Sequence, residues 1–119
     1  MNDYKEILDK LQSSRFRGSF HLSQDYIELV NEKGLEKMKS NALEILNKRI
    51  RKKPENDGRQ TPWKGYPVFV AQHATATCCR KCIEKWHLIP SEKDLADKEI
   101  NYLSDIILLW IKSDMERKI

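Results

Sequence analysis

The sequence predicts a mainly α-helical protein, a compact multi-helix single domain over residues 1–119 with one long irregular loop at about 52–67 and at most a short strand. Two observations carry that reading. Apolar residues recur at three- and four-residue spacing in five separate stretches, the pattern of helices with one buried face. Capping residues, Ser23, Gly34 and Thr77 among them, stand where those stretches start or stop.

Tyr4, Ile7, Leu8 and Leu11 place a first helix over about residues 3–12. The run Arg15-Phe16-Arg17-Gly18-Ser19-Phe20 then breaks the period. Ser23 can cap a second helix, with Leu22 stapled against Ile27, and Gly34 suits a left-handed end to it. A third helix from Leu35 puts Met38, Ala42, Leu46 and Ile50 on one face. It ends among Lys48, Arg49, Arg51, Lys52 and Lys53, cations that favour a helix C-terminus. Pro54 to Pro67 holds Gly58, Pro62 and Gly65 and has no period; a structureless stretch of that length usually signals function or disorder. Val68-Phe69-Val70 reads equally as a short strand or a helix start. Thr77 is the expected cap of a helix from Cys78 to about His87, with Cys79, Cys82, Ile83 and Trp86 on its apolar face. Ser91 and Asp94 suggest a capping box ahead of a last helix at about 96–117. Its stripe of Ile100, Leu103, Ile107 and Trp110 is widened by Ile106 and Leu109, which predicts a central helix or a homo-oligomer contact through the C-terminal helix.

The chain carries 22 Lys or Arg against 18 Asp or Glu, a net charge of +4, with both signs interspersed as on a folded, solvated surface. Its longest apolar run, Ile106 to Ile111, has six residues where a membrane span needs about 20, so no membrane partner is expected. The start Met1-Asn2-Asp3-Tyr4 lacks the basic-then-apolar pattern of a signal peptide. Three cysteines make no paired disulfide framework, and the expected location is the reducing cytoplasm.

Two stretches form an unusual string: Asn56-Asp57-Gly58-Arg59-Gln60-Thr61-Pro62, and Pro67 through His87 with Gln72-His73-Ala74-Thr75-Ala76-Thr77-Cys78-Cys79-Arg80-Lys81-Cys82 at its centre. Together with Ser14-Arg15-Phe16-Arg17 and Phe20-His21-Leu22, this string resembles a small family of bacterial and phage proteins, domain of unknown function family 4186. The resemblance covers nearly the whole chain. It implies a small cytoplasmic protein and supplies no mechanism. At Trp63 it leads one to expect a smaller or more flexible apolar residue.

Three constellations carry chemistry. Cys79, Cys82 and His87 match the first three ligands of a zinc-knuckle spacing, and His73 or Cys78 can supply a fourth, because zinc prefers four thiolate or imidazole ligands. Glu92 stands where the knuckle itself would continue. The ordinary alternative is that Cys79 and Cys82 pack beside Ile83 and Trp86 as small buried apolar groups. Second, Cys78 and Cys79 fall in the expected first helical turn, where the macrodipole lowers a thiol pKa. That makes Cys78, Cys79 and His73 candidates for a thiol- or metal-dependent enzyme, with the histidine as base. Third, seven cations lie within the 17 residues from Lys48 to Lys64. Arg15, Arg17, Arg51, Lys52, Arg59 and Lys64 can contact phosphates while Trp63 stacks on bases, which predicts a nucleic-acid partner. A solvated helix end accounts for the same charges without a partner.

Overall fold

A computed structural model describes residues 3–117, so Met1, Asn2, Lys118 and Ile119 lie outside the described residues. The elements in chain order are α1 (Tyr4–Ser13), a short 3-10 turn (Arg17–Ser19), α2 (Gln24–Lys33), α3 (Leu35–Ile45) continuing as a π turn (Leu46–Ile50), α4 (Pro67–Ala74), α5 (Arg80–His87) and α6 (Asp97–Arg117). No strand occurs among the described residues. Asp3 caps α1 by accepting from the Glu6 amide at 3.0 Å, and Ser23 caps α2 by accepting from Tyr26 at 3.3 Å. Gly34, at φ +91°, both ends α2 and starts α3, a conformation that residues with a Cβ rarely adopt.

The segment Val68-Phe69-Val70 is helical. Pro67 occupies the first turn of α4, where its missing N–H costs nothing, and nearly every residue of that helix is buried. The expected Ser91/Asp94 box does not form. Ser91 donates to Glu84 at 3.0 Å, and it is Glu99 that reaches back to accept from the Ala96 amide at 2.8 Å ahead of α6.

The wide face of α6 is covered from within the chain: α6 packs against α1, α3 and α4, with Leu103, Ile106, Ile107 and Ile111 fully buried. Its packing makes this the central helix, with Leu108 and Leu109 left half-buried. Leu11, Leu22, Met38, Leu46 and Ile83 complete the core around it. The Cα radius of gyration is 13.2 Å, against about 13.5 Å for a folded chain of this length.

Candidate thiol and metal centre

Residues 71–80 form an unbroken buried run, the end of α4 and the turn into α5. Inside it the Thr77 amide donates to the Gln72 carbonyl at 2.8 Å, and Thr75 Oγ1 to the Ala71 carbonyl at 2.7 Å. Ala76 takes a left-handed φ of +57°, uncommon for a residue with a Cβ, and reverses the chain there. The chain enters α5 at Cys79 rather than at Thr77, so Cys78 precedes the helix altogether. The Cys79 side chain caps nothing. Its place is taken by Asp57 from the irregular loop, which accepts from the Arg80 amide at 3.0 Å and the Lys81 amide at 2.9 Å. Burial opposes ionisation of Asp57, yet donation from Gln60 and these two amides outweighs it and holds the carboxyl below its usual range.

With its cap supplied from elsewhere, Cys79 turns its sulfur to its neighbours. The Sγ atoms of Cys78, Cys79 and Cys82 all lie within 4.8 Å of one another, and Cys79 and Cys82 are 3.2 Å apart. All three are free thiols. Over them sits Arg17, 8% exposed, whose Nη2 donates to Cys82 Sγ at 3.1 Å while Nη1 donates to the His73 carbonyl at 2.7 Å and to Cys78 Sγ at 3.7 Å. Arg17 is placed by the tight turn after α1, held by the Gly18 amide donating to the Ser14 carbonyl at 2.7 Å. Only glycine fits there: a Cβ on residue 18 would stand 2.4 Å from the Gln12 carbonyl oxygen.

The order of acidity is the reverse of the one the helix start predicts. Hydrogen bonds from the Cys78 and Cys79 thiols, opposed by burial and reinforced by the Arg17 guanidinium, pull Cys82 far below the usual thiol range. Hydrogen bonding to Cys79 and Cys82, with burial, pushes Cys78 up. For Cys79 the Cys78 thiol acts downward, but Cys82 and burial outweigh it and the pKa rises. The expectation puts Cys78 and Cys79 in the first helical turn; the structure places Cys78 before α5 and gives the Arg17 guanidinium to Cys82. The dipole's partial charge at the start of α5 already faces the Asp57 carboxylate, whereas Arg17 brings a full charge against Cys82.

The two histidines go different ways. His87 lies on the far side: Nε2–H donates to the Thr75 carbonyl at 2.8 Å and Nδ1 accepts from the Tyr102 hydroxyl at 3.0 Å, so it ties the α4–α5 turn to α6. Burial lowers its pKa, against the Thr75 carbonyl, and it is not brought to the sulfurs. Cys78 takes the position in the cluster that spacing gave to His87. His73 stands beside the cluster, its carbonyl bridged to Cys78 through Arg17. Its Nε2–H points at the Pro62 and Thr61 carbonyls, at 3.1 and 3.3 Å, and its buried Nδ1 has no hydrogen-bond partner among the described residues. Burial, ahead of those two carbonyls, lowers its pKa. Trp63 lies flat on the His73 ring with centroids 4.0 Å apart and is itself 63% exposed, so the bulky side chain at that position has a stacking partner.

The proposed phosphate contacts divide. Arg17 faces the sulfurs. Arg51 donates to Asn47, to the Leu95 carbonyl at 2.6 Å and to Asp97 at 2.8 Å, which ties the end of the π turn to the start of α6. Arg15, Lys52, Arg59 and Lys64 remain exposed. Two contributors escaped the sequence. Asp57 sits in the quoted string, but no local signal pairs it with α5, 23 positions on. Nothing in spacing links Arg17 to Cys82, 65 positions away.

Fold and centre together define a mainly helical protein with a trio of thiols, two buried and one half-buried, under one guanidinium. The chain belongs to the family described as Domain of unknown function (DUF4186), which it matches over residues 5–112. No solved structure matches it. No described helix is long and apolar enough to cross a membrane.

Proposed function

We propose that this protein is a single cytoplasmic domain over residues 1–119 that binds one thiophilic metal ion, zinc, through Cys78, Cys79 and Cys82. The observation that carries the reading is the convergence of three sulfurs within 4.8 Å. Zn–S bonds of about 2.3 Å in a tetrahedron set sulfurs about 3.8 Å apart, so the trio has the size of a one-ion site and needs only small side-chain adjustments. Three thiolates around a divalent ion carry one net negative charge, which the Arg17 guanidinium offsets in a buried setting. Three protein ligands leave a fourth position for water or a substrate donor, the arrangement of catalytic zinc sites, and His73 is the neighbouring group. Metal-free, reduced protein titrated with zinc against a chromophoric chelator should take up one ion per chain. Cys78→Ser, Cys79→Ser and Cys82→Ser should each lower affinity at least about tenfold. No uptake, or full affinity in any one of the three variants, returns the sulfurs to a packing role.

A second reading is favoured by one observation, the exposed pair of Trp63 and Phe16, ring centroids 6.3 Å apart, with Arg15 and Lys64 their exposed chain neighbours. Such rings can stack on unpaired bases of a nucleic acid while Arg15, Lys52, Arg59 and Lys64 meet phosphates. Binding to single strands should then weaken steeply with salt and be lost in Trp63→Ala. No retention at low salt removes this reading.

A further inference from the structure

Beyond metal binding, Cys79 and Cys82 are arranged as a two-electron thiol pair. Their sulfurs are 3.2 Å apart without any bond between them, three residues apart across the start of α5. A disulfide needs about 2.05 Å, an approach of little more than 1 Å. The Cys79 backbone is extended, at φ −162° and ψ 168°, just outside the helix, and its side chain is released from capping by Asp57. Cys82 is the one sulfur of the three that is only half-buried, and it holds the Arg17 guanidinium contact. Cys78 is less suited as partner. A bond to adjacent Cys79 would close a strained ring across the trans peptide between them, and the Cys78 carbonyl is held by Thr61 at 2.9 Å.

We propose that Cys82 is a peroxide-reactive thiol and Cys79 its resolving partner, so that a peroxide-class oxidant converts the pair to an intramolecular disulfide and removes two of the three metal ligands. The Cys82 sulfur attacks one peroxide oxygen; an S–O bond forms, the O–O bond breaks, and the leaving hydroxide takes a proton to become water. The Cys79 sulfur, giving its proton to solvent, then attacks the Cys82 sulfur; the S–S bond forms, the S–O bond breaks, and a second hydroxide leaves as water. Two thiols and one peroxide give one disulfide and two waters.

The loss of two ligands rests on the metal reading; the disulfide step uses the same sulfurs and does not depend on it. Full-length, metal-free, reduced protein is exposed to hydrogen peroxide, denatured, alkylated and weighed, and the pairing is mapped by peptide digestion. The expected result is monomeric protein in which Cys78 alone is alkylated and Cys79 is bonded to Cys82. In Cys79→Ser, Cys82 should accumulate as a sulfenic acid trapped by a dimedone-type reagent, and reductant should restore three free thiols to the parent chain. Three thiols still alkylated, a bond joining two chains, or Cys82 over-oxidised with Cys79 free would each overturn the proposal. Failure of zinc uptake in reduced protein would leave these readouts unchanged and would count against the metal reading alone.

Discussion

Arg17 and Arg80 both bury a guanidinium in this protein, 8% and 0% exposed, and they differ in what accepts their hydrogen bonds. Arg80, the first residue of α5, donates to the Arg51 carbonyl at 2.7 Å, the Pro90 carbonyl at 3.0 Å and the Lys93 carbonyl at 2.8 Å. None of these acceptors can gain or lose a proton, so Arg80 acts as a strut joining the end of the π turn to the loop before α6. Arg17 gives one bond to a carbonyl and directs its other donors to sulfurs, whose ionisation responds to it. The acceptor therefore decides what a buried cation does. Facing carbonyls it holds loops together; facing thiols it adds to the hydrogen bonds that lower the pKa of Cys82.

Removing each guanidinium separates the two roles. Arg80→Met removes three hydrogen bonds from a charged donor, leaving the Pro90 and Lys93 carbonyls without that partner while Arg51 keeps the Leu95 amide. Bonds to charged groups are worth about 1.5–3 kcal/mol each, so urea unfolding should show a loss of about 3 kcal/mol or more. Arg17→Met removes one charged donor from the His73 carbonyl, which keeps the Ala76 amide, and should cost about 1–3 kcal/mol. It should also slow peroxide-driven disulfide formation markedly, whereas Arg80→Lys should lower stability and leave that rate alone. Equal slowing in both variants would erase the distinction.

The histidines sharpen the same point with a smaller effect. His87 is buried in its neutral form with its pKa lowered, so between that value and the ordinary one near 6.5 the unfolded chain binds more protons than the folded one. Stability contributed by His87 is therefore present above about pH 6.5 and lost as pH falls below it. In His87→Gln, denaturation followed from pH 7 to 5 should lose part of that acid dependence. An unchanged slope would mean that His87 is not the group taking up the proton. The smallest effect is expected at Leu88, which ends α5 at φ +59° with its side chain 75% exposed. Leu88→Gly removes left-handed strain with little packing to lose, and thermal unfolding should show a gain of about 1 kcal/mol.

The amino-acid sequence by itself determined the helices, because helical spacing and caps act within a turn or two of chain. Ser23 and Gly34 bound α2 as their chemistry predicts, and the stripe of Leu103, Ile107 and Trp110 marked α6 as buried. It also marked Cys79 and Cys82 as neighbours, since three residues apart on a helix is close in space. Where signals were local but balanced, as at Val68-Phe69-Val70, tertiary burial decided for helix. Tertiary structure alone decided the character of the centre. Asp57 replaced the local cap from 23 positions away, which moved the start of α5 to Cys79 and freed that sulfur. The Cys78 and Cys79 thiols, with Arg17 brought from the turn after α1, lower the pKa of Cys82. His87, though placed by spacing among the ligands, was drawn to Thr75 and Tyr102. The charge on a sulfur depends on which groups lie within a few ångströms of it, and those groups come from parts of the chain that only folding brings together.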